Sequence, residues 1–179
     1  MRHVFPCGTP ALDFVGTLQE RRTTAPIERI GSPALLDAWF VEAGLLDRRP
    51  GSDRSDLRAA LQLREAIYAL LRARLTGRPR PVWAVIAVNR QAAGVPVVMR
   101  LDAAGTSRSG KAAQALTELA REAVEILAGT DAALLRECAR LDCTHVYLDR
   151  SRGRRREWCA MRSCGNRVKA AALRARRRV

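Results

Sequence analysis

At 179 residues the chain has room for one medium domain and a small module, and an apolar content of 47% is ample for a core. No run approaches the roughly 18 apolar residues of a membrane span. Met1-Arg2-His3-Val4-Phe5-Pro6-Cys7 lacks the apolar region of a signal peptide, so a reducing cytoplasm is the expected location. The net charge of +14 is lopsided: residues 136–179 hold 14 Lys/Arg against 4 Asp/Glu, a net +10, which leaves +4 for residues 1–135. Positive charge concentrated in this way points to a polyanion, and nucleic acid is the usual one. An anionic membrane surface fits less well, because the basic stretch lacks a strong apolar face. Thirty of the 32 basic residues are Arg, in every part of the chain, so the clustering carries the argument and the choice of Arg over Lys does not.

In chain order, Thr9-Pro10-Ala11-Leu12 reads as an N-cap followed by Pro at the first helical position, with Asp13 in the first turn. This helix is predicted to run to about Arg22, with Leu12, Val15 and Leu18 inward. Ser32-Pro33 repeats the start signal, and Gly44 offers a stop after Leu36, Trp39, Phe40 and Ala43. Residues 47–54 read as a polar loop. Ser55–Thr76 is the clearest helix, its core stripe formed by Leu57, Ala60, Leu61, Ile67, Tyr68, Leu71 and Leu75, and Gly77 ends it. Pro81–Ala93 has strand-like content, but its length between Pro81 and Gly94 favours a helix. Val95–Leu101 with a turn at 103–105 and a return near Ser107 predicts one small hairpin. Lys111–Ala128 is a second long helix, with Leu116, Leu119, Ala120, Ala123 and Leu127 inward.

Four of the five cysteines fall into two matched pairs. Cys138 and Cys143 are separated by four residues, as are Cys159 and Cys164, and fifteen residues lie between the pairs. Four thiolates gripping one ion at about 2.3 Å are what a structural zinc site requires. Disulfides are the alternative, but they need an oxidising compartment, and a redox pair more often has a two-residue gap. The expected order is a knuckle at 138–143, a hairpin over about 144–158 and a helix opened by the last ligand pair, an arrangement that resembles a treble-clef finger. A segment this short buries little core, so zinc is expected to supply most of its folding free energy. Trp158, Tyr147 and Leu148 are expected to pack against Val168 and Ala172, with Trp158 covering the metal rather than stacking on bases. His145 is read as a hairpin residue and not a fifth ligand. Cys7 is expected to be a lone thiol.

Trp158-Cys159-Ala160-Met161-Arg162-Ser163-Cys164-Gly165-Asn166-Arg167-Val168-Lys169 resembles the signature of the CGNR zinc finger, and Leu148-Asp149-Arg150-Ser151 with the first cysteine pair fits the same family. Ala11-Leu12-Asp13-Phe14-Val15-Gly16-Thr17-Leu18 resembles the opening motif of the ABATE domain, which usually carries Asn where this chain has Gly16. The resemblance implies a mainly helical N-terminal domain over 1–135, a finger over 136–179, DNA binding by the finger, and regulation of transcription rather than catalysis.

The residues alone give the same direction. At 100° per residue Arg167, Arg174 and Arg178 lie within about 40° of one another on the last helix, and the segment before the second cysteine pair adds Arg152, Arg154, Arg155 and Arg156. These four are placed at the tip of the expected hairpin, and with Arg162, Arg167, Lys169 and Arg174 they are the candidate nucleic-acid contacts. Arg167 and Arg174 are the candidates for the groove, and Arg176-Arg177-Arg178 for a non-specific tail. A zinc-stabilised module that docks an acidic protein is the competing reading. RNA is a weaker third, since no series of exposed aromatics is evident. Two histidines, no nucleophile motif and a zinc site with no open position argue against an enzyme. An unknown small effector in the N-terminal domain and self-association complete the expected partners, with no membrane among them.

Overall fold

Thr9 Oγ1 accepts from Leu12 N–H at 3.4 Å ahead of α1 (Pro10–Val15), and Ser32 Oγ accepts from Leu35 N–H at 3.3 Å ahead of α2 (Pro33–Glu42). Both helices start with the cap-and-Pro chemistry legible in the sequence. The computed structural model describes residues 3–103 and 105–176, with Asp102 and Ala172 as backbone only. Asp53 and Asp56 close a reciprocal capping box on α3 (Arg54–Thr76), which Gly77 ends at φ +65. α4 (Val82–Ala92) confirms the helical reading of that ambiguous run, and α5 (Ala112–Ala128) follows the hairpin of β3 (Val98–Asp102) and β4 (Gly105–Ser109).

α3, α4 and α5 pack on one another, and α1 lies against α3 and α5. The centre is aromatic: Trp39 is 5.3 Å from Phe14 and 6.0 Å from Phe40, ring to ring, and all three are buried. The five apolar residues predicted inward on α5 are all buried. Of the stripe predicted on α3, Ala60, Ile67 and Leu71 are buried and Leu57, Leu61, Tyr68 and Leu75 half-buried; Leu63, Arg64 and Leu70, outside that stripe, are buried. The Arg64 guanidinium donates to both carboxylate oxygens of Glu28, at 2.8 and 2.7 Å, and to Thr17 Oγ1 at 3.0 Å. This fork is what lets a buried cation sit in the core. At Glu28 burial works against the charge, but the hydrogen bonds from Arg64 outweigh it and hold the carboxyl below its usual range.

Two expectations are corrected. α1 stops at Val15 rather than near Arg22: Thr17 Oγ1 donates back to Phe14 O at 2.6 Å, and β1 (Leu18–Gln19) leaves to pair antiparallel with β2 (Ile27–Glu28). The finger's hairpin is also placed differently. β6 (Val146–Leu148) pairs not with a later strand but with β5 (Leu135–Glu137), which precedes the knuckle, in the register Leu135 to Leu148 and Glu137 to Val146. The knuckle is thus the loop of that hairpin, and Cys138 N–H donating to His145 O at 3.0 Å extends the ladder into it. Residues 149–160 form a loop. α6 (Asn166–Arg176) closes the described chain.

The finger is fastened directly to the helical body. Leu148 N–H donates to Cys7 O at 3.1 Å, Glu137 pairs with Arg72 at 2.5 Å and with Arg22, and Arg140 pairs with Glu20. Leu135, Val146, Tyr147 and Leu148 belong to the same continuous core as the helices. Among the described residues, no helix is long and apolar enough to cross a membrane.

Candidate metal centre and basic surface

Cys138 and Cys143 flank the knuckle loop, where Cys143 N–H donates to Arg140 O at 2.9 Å and tightens the turn. Cys159 follows the 149–158 loop. Cys164 lies in a wide turn, Met161–Gly165, in which Gly165 N–H reaches back to Ala160 O at 3.1 Å; that turn opens directly into α6. A Cβ on Gly165 would lie 2.4 Å from Met161 Sδ, so the glycine of the Cys-Gly-Asn-Arg run makes room for that sulfur.

The four thiols are buried and their sulfurs all lie within 4.8 Å of one another. Cys159 Sγ is 3.8 Å from Cys143 Sγ and 3.6 Å from Cys164 Sγ. Sulfurs bonded tetrahedrally to zinc at about 2.3 Å stand about 3.8 Å apart, so the donor set fits one zinc ion with no position left open. The crowding acts on the thiols themselves. Cys138, accepting hydrogen bonds from Cys143 and Cys159, is held well below the usual thiol range, and those two are pushed up by the same contacts. A divalent cation reverses that competition, since all four can then ionise around it.

Support around the sulfurs comes from backbone and body. Cys159 N–H donates to Cys138 Sγ at 3.4 Å. His145, read from the sequence only as a hairpin residue, reaches both halves of the molecule: its Nδ1 is 3.3 Å from Cys159 Sγ and its Nε2 is 3.1 Å from Gly16 O at the end of α1. A carbonyl only accepts, so Nε2 carries a proton. A Cβ at Gly16 would lie 2.8 Å from His145 Cδ2 and 3.0 Å from Nε2. The glycine that departs from the ABATE motif is therefore the one that admits the imidazole. Trp158, next to Cys159 in sequence, packs half-buried against the core. Val168 is half-buried; the side chain of Ala172, its expected partner, lies outside the described residues.

Arg152, Arg154, Arg155, Arg162, Arg167, Lys169 and Arg174 are all exposed. Asp149 organises the loop that carries the first three: Oδ1 accepts from Ser151 N–H at 3.0 Å and Ser151 Oγ at 2.5 Å, and Oδ2 from Arg156 N–H at 3.2 Å. The Ser151 hydroxyl, foremost among these, holds the Asp149 carboxyl below its usual range. Gly153 at φ +80 and Arg154 at φ +51 turn the tip. Arg156 is different, although nothing in its local sequence separates it from its neighbours. Its guanidinium donates to Trp158 O and Pro6 O, each at 2.8 Å, and to Cys159 O, and stacks 4.4 Å from the Tyr147 ring. It is a strut between body, loop and metal site. Arg177 and Arg178 lie outside the described residues.

A helical body with a four-sulfur zinc site clamped to one end, and a strongly basic segment around that site, defines a two-part zinc-finger protein. Residues 8–130 match the ABATE family, whose description reads "Putative stress-induced transcription regulator", and residues 135–177 match the CGNR zinc finger. The chain belongs to the ABATE family and carries a CGNR finger. No curated protein matches it.

Proposed function

We propose that this chain is a DNA-binding regulator of transcription in which zinc holds a cationic surface in shape and takes no part in catalysis. The observation that carries the reading is the exposure of α6. Beyond half-buried Val168, Asn166, Arg167, Lys169, Ala170, Ala171, Leu173, Arg174, Ala175 and Arg176 all face solvent. A helix bearing four Arg/Lys that covers none of its own core is free to enter a groove, with Arg167 and Arg174 nearest the bases. Arg152, Arg154 and Arg155 on the adjoining loop, with Arg162, suit phosphate contacts that position the finger and release counterions. We read the finger as a treble-clef variant whose hairpin spans the knuckle. A helix lacking a buried stripe also suits an acidic protein partner, which is the second reading; a run of exposed stacking aromatics suited to RNA is absent among the described residues of the finger.

Selection of preferred sequences from random DNA, run beside random RNA, separates these. Enrichment of one duplex motif supports the proposal; no enrichment from either pool supports the protein-docking reading. With the selected duplex, replacing Arg152, Arg154 and Arg155 by Ala should leave zinc bound and reduce the salt slope of binding by about 3. Arg156→Ala should instead lower thermal stability.

A further inference from the structure

α4 packs on α3 and α5, and Ala84 and Val88 are the residues it buries. Its opposite side is apolar as well. Val82, Trp83 and Ile86 are 73%, 56% and 61% exposed, and at 100° per residue they fall within an arc of about 100°. Exposed apolar residues are ordinarily scattered singly, whereas these three adjoin, and Trp with flanking Arg is typical of binding hot spots. Val85, about 60° round the helix from Val82, opens onto a groove of about 110 Å³ that it shares with Val88, Val124 and Leu127. That volume is well under the ~300 Å³ at which pockets for drug-sized ligands begin, so it suits a side chain of a larger partner.

The charge around this face has one sign. Arg78, Arg80 and Arg90 are exposed, and among the described residues none of them forms an ion pair. Arg80 is held at the groove by donating to Leu127 O at 2.9 Å. α4 itself carries no carboxylate. Glu125, next to Val124 on α5, is set about 100° round that helix and does not line the groove. α4 also opens on Pro81 without a side-chain cap, and the free amides of a helix start favour a carboxylate.

We propose that the outer face of α4, with the groove beside α5, docks an amphipathic helix of a partner protein, apolar along one stripe and acidic along its edges. The 11 residues of α4 span about 16 Å, the length of three turns of such a helix. Its apolar anchors cover Trp83 and Ile86 and fill the groove, and its carboxylates meet Arg78, Arg80 and Arg90. A second copy of this chain fits less well, because a two-fold contact through this face sets the same three arginines against their counterparts. The surface includes no finger residue, so its occupancy is independent of what α6 binds.

Zinc-loaded full-length protein is titrated against a labelled peptide of about 16 residues, long enough to hold a helix, with Leu and Phe in one stripe and Glu on both flanks. Fluorescence anisotropy is compared for two controls, the same stripe flanked by Lys and the same acidic composition with the stripe scrambled. The expected result is saturable one-site binding of the acidic amphipathic peptide, at least tenfold weaker binding of the scrambled one, and none of the Lys peptide. Trp83→Ala, Ile86→Ala and Arg90→Glu should each weaken binding at least tenfold. All three positions are exposed, so none of the changes opens a core cavity, and an unaltered Tm verifies the fold. Leu141→Ala, an exposed leucine of the knuckle, should leave binding unchanged. No saturable binding, equal binding of the scrambled peptide, or indifference to all three α4 variants overturns the proposal. Equal binding of the scrambled peptide would mark diffuse attraction to a protein of net charge +14, and indifference to the variants would move an acidic partner to the finger. A dimer in sedimentation that Trp83→Ala dissolves also overturns it, in favour of a second copy.

Discussion

At Gly16 the missing side chain is explained 129 residues away. The His145 ring lies where a Cβ would go, held on one side by Gly16 O and on the other by Cys159 Sγ, so it has little freedom to retreat. Gly16→Ala is therefore expected to destabilise the protein by about 1–3 kcal/mol, the usual cost of overpacking, and to speed zinc release to a chelator. The double variant Gly16→Ala/His145→Ala tests the cause, because with the ring gone the added methyl should cost little beyond the loss of His145 itself. Denaturant unfolding and chelator kinetics read both effects; a neutral Gly16→Ala would contradict the contact. No sequence signal pointed to this pair, since the family motif gives Asn at the position and local propensity treats a mid-helix Gly only as a cost. Arg156 was unreadable for a related reason. It stands in a run of three arginines, and only its stacking on Tyr147 and its bonds to three carbonyls distinguish it from the exposed pair before it.

Among the elements, α2, α3, α4, α5 and the β3–β4 hairpin follow from caps, periodicity and stop residues, all of which act over a few positions. The two departures are both non-local. α1 ends early because β1 pairs with β2 and Gly16 O is turned toward the finger, and β6 chooses the strand before the knuckle because Leu135 pairs with Leu148 across it. Leu135–Glu137 is only three residues long, too few for a period to show. The corrected pairing changes what zinc must support. Leu135, Val146, Tyr147 and Leu148 are at most 3% exposed against the helices, and full burial of such side chains is worth about 1.5–3 kcal/mol each. α6, by contrast, leaves Leu173 52% exposed and depends on Cys164 for its start. Chelation under reducing conditions should therefore release protection against hydrogen exchange in 138–145 and 157–176 while β5 and β6 stay protected. Exchange of β6 together with α6 would show that the metal holds the whole finger, as its small size suggested.

For the whole molecule, the boundary between the two family matches, near residues 130–135, is not a boundary in packing. One continuous core includes Phe14, Leu116, Tyr147 and all four metal-binding cysteines. Polar contacts cross in the same place: Glu137 joins Arg22 and Arg72, Arg140 joins Glu20, and Arg156 reaches Pro6 O. A peptide of residues 135–176 would expose Leu135, Val146, Tyr147 and Leu148 to water and lose the carbonyl of Gly16 from His145. Zinc would then have to order both the ligands and β6 without the body's help, and the ordering cost appears as lost affinity. The peptide is expected to bind one zinc at least tenfold more weakly than the full chain, measured by competition with a chromophoric chelator at fixed pH and under reducing conditions. Equal affinity would mean that the cysteine frame folds independently and that the buried contacts are only docking. A weaker site in the peptide would instead mean that any ligand or partner shifting the body against the finger also shifts the rigidity of the cationic surface, which gives the two parts a physical means of communicating.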